Sequence, residues 1–503
     1  MAFRRFFSVV SCFLLFFCIV SMEGIVQASE PQVPTRSQSQ IGQVLPTGQP
    51  AAPIQPGSDL ITPINADPIT IDQALERRLS EIKKPARNAI LLIVDGMGAT
   101  AIKLAREVLV GREGLLEIDK MPVTARMIGN PSDGPVNDSA AAASELSTGH
   151  PIAIHKLCMS AEGRPIKTLW EHAKSEGFRV GLISDTRLTH ATPAGFATHM
   201  NGRDDEDALA PQMIDSGFEI LLSGGRKAFA PRKTASATEQ LDPLAVARQR
   251  GYSVALTRDE FKDAVSQRND KVLGLFSDSF MSFSYEAGKK SEPTLAEMTA
   301  GALILLSRGQ ERFLLMVEAG KIDATLHSHD PAELVQQMSV MEETLKVLRD
   351  YVNQHPDTLL VITSDHSTGG LILTENFDPV AFKNLATSTN ALSWYLKDKG
   401  DGIPAIMKKL FPTMPFTDIE LQDLIVRSKG PEFNAAIGSL FYSKLGLLFL
   451  PMEQQLSLKI THGHTGEDLF IHAQGAHQNL FSGTMRIWDI PRRMAAAMGL
   501  SFP

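Results

Sequence analysis

Cysteine is scarce in this chain, and most of it sits at one end. Of three cysteines, Cys12 and Cys18 fall within the first 28 residues and only Cys158 lies beyond them. With those 28 residues removed no internal disulfide can form, and no cysteine cluster exists for a structural zinc site. A basic block is missing as well. The formal net charge is −8, which argues against nucleic acid as a specific partner. Acidic runs such as Asp204-Asp205-Glu206-Asp207 are short and read as a solvated loop or the first turn of a helix. The longest charge-free apolar stretch, Phe6 to Val20, is too short for a comfortable membrane span. No repeat of fixed period is visible.

What is present at the amino end reads as a secretory signal over residues 1–28. Arg4 and Arg5 form its charged start, Phe6 to Val20 its apolar stretch, and Val26-Gln27-Ala28 supplies small residues for cleavage. Phe17 before Cys18 argues against lipid attachment there. The expectation is an exported protein, periplasmic or extracellular, with no stable membrane span after signal removal; an uncleaved anchor is the alternative. Residues 29–67 are rich in Pro, Gln, Ser, Thr and Gly and read as a flexible linker, because they cannot bury enough apolar surface to offset ordering. Residues 68–503 then read as one large folded domain. The chain is 503 residues long and 43% apolar, enough for a large core.

Short apolar runs alternate with amphipathic stretches along this domain. The spacing predicts strands at Ala89 to Val94, Arg179 to Ser184, Glu219 to Ser223, Val272 to Phe276, Phe313 to Glu318, Leu359 to Thr363 and Leu469 to His472, and helices at Thr294 to Ser307 and Pro331 to Tyr351. Runs that are continuous rather than alternating point to strands buried on both faces, hence a mostly parallel central sheet sandwiched by helices in an α/β fold. In such sheets the ligand crevice lies past the carboxyl ends of the strands. The stretch 376–458 breaks the rhythm and reads as an inserted segment before the last histidine cluster.

Five clusters carry chemistry, nearly all at predicted strand ends. Asp95-Gly96-Met97-Gly98 follows the first strand, though an aspartate capping the next helix would explain it equally. Asp138-Ser139 precedes an alanine run that favours helix, so Ser139 belongs at or near a helix N-terminus, where free N–H groups suit a phosphoryl group. An ordinary N-cap accounts for the same residues. Asn137-Asp138-Ser139 also spells a glycosylation sequon, which a buried turn would leave unused. Glu318 ends an apolar strand, and Asp323 and His327 follow four residues apart, on one face if this turn is helical and then within reach of one zinc ion; a surface Asp–His pair accounts for the same spacing. Asp365-His366 follows another strand, and His462-Gly463-His464-Thr465-Gly466-Glu467-Asp468 precedes the last. Together these donors suit zinc, with carboxylates left for magnesium.

In this order the clusters resemble the alkaline phosphatase family along residues 88–490. The matching pieces are Asp95-Gly96-Met97-Gly98, Asp138-Ser139-Ala140, His190-Ala191-Thr192-Pro193-Ala194, Arg203, Glu318 through His327, Asp365-His366 and His464-Thr465-Gly466-Glu467-Asp468. The resemblance implies two Zn2+ and one Mg2+. Asp323, His327 and His464 would hold one zinc; Asp95, Asp365 and His366, with Ser139, the other. Asp95 would bridge to magnesium completed by Thr192 and Glu318, with His190 close by. It further implies Ser139 as nucleophile, Arg203 as phosphate clamp, Asp138 as its orienting partner, small-molecule phosphate monoesters as substrates through a phosphoserine intermediate, and a homodimer. Ala324 stands where relatives often carry lysine or histidine, and His190 where some carry aspartate. His462 is the rival donor to His464.

Competing readings are weaker. A sulfatase needs a Cys/Ser-x-Pro-x-Arg setting, and Ser139 is followed by alanines. A phosphodiesterase of the same superfamily has less need of Glu318, Thr192 and Arg203. A non-catalytic phosphate- or metal-binding protein would lack a ligand or the nucleophile.

Overall fold

The continuous apolar runs become the centre of one ten-stranded sheet. In the computed structural model, residues 73–233, 240–286, 291–451 and 463–502 are described. The signal, the linker and His462 lie outside the described residues. The sheet strands in chain order are β1 (Asn88–Val94), β2 (Val123–Ile128), β3 (Arg179–Arg187), β4 (Ile220–Gly224), β5 (Tyr252–Ala255), β6 (Lys271–Leu275), β7 (Phe313–Ala319), β8 (Thr358–Thr363), β9 (Leu469–Gly475) and β10 (Thr484–Arg486). Their order across the sheet is β10-β2-β9-β8-β1-β7-β3-β4-β6-β5. Only β9 runs against its neighbours, β8 and β2; every other pairing in the sheet is parallel.

Burial on both faces follows from the sequence of the central strands. In β1, Ile90, Leu92 and Val94 pack into one core, while Ala89, Leu91 and Ile93 pack into another on the opposite face. Each residue is inaccessible to solvent, as a helix-covered parallel sheet requires. Leu295–Leu306 and Pro331–Gln354 cover the first face, Leu169–Ser175 and Asp489–Met498 the second. Three strands of this sheet lie outside the predicted set. β2 alternates buried and exposed residues instead of running continuously apolar, and β5 and β10 have four and three residues.

The stretch 376–458 is mostly helical where described. Pro379–Leu385, Thr389–Leu396, Ile403–Leu410, Asp418–Arg427 and Phe433–Ser443 are helices. The pair Leu447–Leu448 joins Ile372–Leu373 in a small antiparallel ribbon. Leu396, Met407, Leu421, Phe441 and Tyr442 run continuously into the first core, so these helices share the domain's apolar interior. Residues 452–458 lie outside the described residues.

Candidate active site

Four adjacent strands, β8-β1-β7-β3, deliver their carboxyl ends to one place. Asp95 follows β1, Glu318 lies near the end of β7, Asp365 and His366 follow β8, and His190 and Thr192 follow β3. Because β9 is antiparallel, His464 just ahead of it reaches the same edge. Helix α1 (Ser139–Thr148) opens there with Ser139 as its first residue. The N-cap is Asp138, whose Oδ1 accepts from Ala141 N at 3.0 Å, which leaves the serine hydroxyl free of capping duty. Asp95 does not cap the helix after it; that role falls to Gly98, without a side-chain bond. Asn137 is buried, so the sequon has no exposed acceptor.

Ser139 Oγ lies 3.2 Å from His366 Nε2. The same nitrogen is 3.2 Å from Asp365 Oδ2 and 3.5 Å from Asp95 Oδ1. On one side, Thr192 Oγ1 donates to Asp95 Oδ2 at 3.4 Å, and His190 Nδ1 stands 4.0 Å from Glu318 Oε1. On the other, helix α2 (Lys321–His327) places Asp323 and His327 on one face, with His327 Nε2 3.3 Å from Asp323 Oδ2. His327 Nε2 is 3.2 Å from His464 Nε2, and the His464 ring stacks on His366 with centroids 3.6 Å apart. Arg203 Nη1 donates to Asp138 Oδ2 at 3.0 Å, and its Nη2 lies 3.4 Å from His190 Nε2. Apart from His462, the structure thus brings together every site residue that the sequence singled out.

The cluster is short of positive charge and of partners. Asp95 Oδ1, Glu318 Oε1, Asp365 Oδ2 and His190 Nδ1 are buried with no hydrogen-bond partner among the described residues. Burial, and then the charges of Asp365, Asp323 and Glu318, push the Asp95 carboxyl well above the ordinary carboxylate range. Burial raises Glu318 to about 8. Asp323 goes the other way: burial opposes its ionisation, but His327, His464 and His366 hold it well below the usual value. Burial and then the Arg203 guanidinium drive His190 low, and burial followed by the His366 ring drives His464 low, which favours neutral imidazoles with a lone pair to offer. Packed, unpaired carboxylates beside neutral imidazoles are what bound cations relieve. Three donor sets, Asp95/Asp365/His366, Asp323/His366/His464 and Asp95/His190/Glu318, each hold their atoms within 4.8 Å of one another. The residues present therefore fit metal ions.

Some supporting residues escaped the sequence reading. Thr368 donates to Asp323 Oδ1 at 2.5 Å and lies 3.2 Å from His366 Nδ1, tying the two halves together. Asp185 Oδ1 accepts from Gly320 N at 2.7 Å and Lys321 N at 3.2 Å, fixing the turn between Glu318 and Asp323. Asn137 O pairs with His464 Nδ1 at 3.0 Å, orienting that ring. Only proximity to the motifs marked them: Thr368 is two residues past His366, and Asp185 lies in the polar end of β3. Gly96 is explained by space as well as by its φ of +77°, since a Cβ there would sit 2.8 Å from Asp323 Cα.

A helix-initial serine, converging groups that fit metal ions and a mostly parallel sheet point to a metal-dependent hydrolase of the α/β class. Comparison with known proteins gives the family. The family described as alkaline phosphatase matches residues 86–500, and the chain belongs to it, which places it among the phosphoric monoester hydrolases. Alkaline phosphatase 4 of Bacillus subtilis is 26% identical over 423 residues, spanning 81% of this chain and 87% of that protein. Alkaline phosphatase 3 of the same organism is 27% identical over 434 residues, spanning 82% and 89%. The structure of the cold-active alkaline phosphatase from Shewanella sp. superposes with a TM-score of 0.69 at 27% identity, covering 82% of this chain and 99% of that one.

Proposed function

We propose that this protein is an exported alkaline phosphatase that hydrolyses small-molecule phosphate monoesters through a phosphoserine at Ser139. The observation that carries the reading is the position of Ser139: first in a buried helix, with Oγ 3.2 Å from His366 Nε2 inside the carboxylate–histidine cluster. Asp323, His327 and His464 would hold one zinc ion. Asp95, Asp365 and His366, with Ser139, would hold a second, and Asp95, Thr192 and Glu318, with His190 beside them, a magnesium ion. Bound there, such ions supply positive charge that favours a serine alkoxide and offsets charge on a phosphoryl group.

The chain's own groups do the rest. Ser139 Oγ, having lost its proton to solvent, attacks phosphorus; the bond to the ester oxygen breaks, and the alcohol leaves with a proton from solvent. Water then attacks the phosphoserine, the bond from phosphorus to Oγ breaks, Ser139 regains a proton and phosphate departs. The N-terminus of α1 favours the anion throughout. Arg203 offers its planar fork to two phosphoryl oxygens, and Asp138, which burial alone would neutralise but Arg203 and Ala141 N keep ionised, holds that fork in place.

Export rests on the signal-like residues 1–28 and linker 29–67, with a periplasmic or extracellular destination and a homodimer as the expected assembly. Among the described residues no helix is long and apolar enough to cross a membrane. The test is hydrolysis of a chromogenic phosphate monoester and its matching diester at alkaline pH, before and after chelation and zinc–magnesium restoration. Monoester turnover lost with chelator, regained with metals and abolished in Ser139→Ala is the expected result. A clear preference for diester would overturn the substrate assignment.

A further inference from the structure

The inserted helices grip the chain just past His327. Asp330 is inaccessible to solvent, and its carboxylate serves two helix N-termini. Oδ1 accepts from Glu333 N at 3.0 Å, capping helix α3 (Pro331–Gln354). Oδ2 accepts from Ser388 Oγ at 2.7 Å and from Thr389 N at 2.8 Å, at the start of helix α4 (Thr389–Leu396) in the insertion. Thr389 Oγ1 also donates to Ser328 O at 3.1 Å.

Between Ser328 and Asp330, His329 adopts a φ of +47°, a left-handed conformation that costs a non-glycine residue roughly 1–2 kcal/mol. The insertion holds it there. Phe449 stacks on the His329 ring with centroids 4.3 Å apart, and Ser439 Oγ lies 2.6 Å from its Nδ1. Helix α5 (Phe433–Ser443) passes so close that a Cβ on Gly438 would sit 2.1 Å from His329 O. On the other flank of His327, a Cβ on Gly369 would sit 2.8 Å from Leu326 O, and Gly369 O accepts from Leu450 N at 2.8 Å.

We infer that Ser328, His329 and Asp330 form a positioning element through which the insertion sets the aim of the His327 imidazole, and so the zinc affinity of the Asp323/His327/His464 set. This rests on the reading of His327 as a zinc ligand. A metal site tolerates little error in ligand placement, and loss of supporting contacts typically costs about 10–100-fold in affinity.

The experiment measures zinc content of the full enzyme and its zinc affinity by competition with a chromogenic chelator. The variants are Asp330→Ala, the milder Ser388→Ala, His327→Ala and Thr417→Ala. Thr417 caps a different helix of the insertion, Asp418–Arg427, and serves as the control for simple destabilisation. Expected are loss of one zinc in His327→Ala, weakening of one zinc by about 10–100-fold in Asp330→Ala, a smaller weakening of the same zinc in Ser388→Ala, and unchanged zinc in Thr417→Ala. Should Asp330→Ala fail to fold, Ser388→Ala decides. If His327→Ala keeps both zinc ions, the ligand reading falls and takes this inference with it. If His327→Ala loses one while Asp330→Ala and Ser388→Ala bind as wild type, the ligand reading stands and the positioning role is overturned. Equal weakening in Thr417→Ala overturns it too.

Discussion

Arg203 stands at the rim of the cluster with one nitrogen on Asp138 and the other near His190. Its fork is pre-set by these contacts, so in the proposed mechanism a substrate phosphate would meet an oriented donor pair instead of a flexible side chain. Arg203→Ala should lower kcat/KM for monoesters by about 10²-fold. Arg203→Lys should recover little of it, because an ammonium cannot reproduce two parallel N–H bonds. Steady-state kinetics on both variants check this; full activity in the lysine variant would show that charge alone suffices. Asp95, Glu318, Asp365 and His366 were legible in the sequence because each ends or directly follows an apolar run, whereas His190, Thr192 and Arg203 stood out only through the resemblance to the family. Thr368 and Asp185 were not legible. A threonine and an aspartate at strand ends are common, and their significance lies in hydrogen bonds that only the fold creates.

Elements place these residues through close approaches that local pattern cannot show. The turn after β1 carries Gly96 at a φ of +77°, with space for a Cβ denied by the backbone of Asp323. Gly96→Ala therefore adds both left-handed strain, roughly 1 kcal/mol or more, and a push on one metal-ligand group. The expected outcome is a zinc deficit at the Asp323 set together with a modest fall in melting temperature, read by metal analysis and calorimetry. Normal zinc content would show that the turn relaxes without moving Asp323. Helix α1 carries a lesson about capping. The alanine run signalled a helix, but the choice between Asp138 and Ser139 as N-cap is made by backbone geometry, and it decides whether the serine hydroxyl is occupied or available.

Across the whole molecule, the sheet gathers four buried polar atoms without hydrogen-bond partners among the described residues in one place, an arrangement that bound cations would relieve. In the ion-free protein Glu318 titrates near 8 instead of its ordinary 4.5. The folded state then holds a proton that the unfolded state has released, so ion-free stability falls as pH rises from 4.5 towards 8. The gap in melting temperature between metal-loaded and chelated enzyme should accordingly widen from about pH 6 to about pH 8, reflecting roughly 1.4 kcal/mol for every pH step of one over which that proton is retained. A constant gap would mean that the ions do not replace that proton. At this scale the sequence disclosed the parallel core through its continuous apolar runs, but not the sheet's edges. β2, β5 and β10 are short or alternating, and β2 and β10 pair with partners far along the chain. The helices within 376–458 showed only as a break in rhythm, since they pack into a core they share with the sheet. The central claim is covalent catalysis at Ser139, and acid-quenching the enzyme during monoester turnover, then mapping peptides by mass spectrometry, tests it most directly. The account predicts one phosphoryl group on the peptide containing Ser139, absent in Ser139→Ala. Turnover with no phosphorylated Ser139 at any quench time would contradict it and point to direct attack by water.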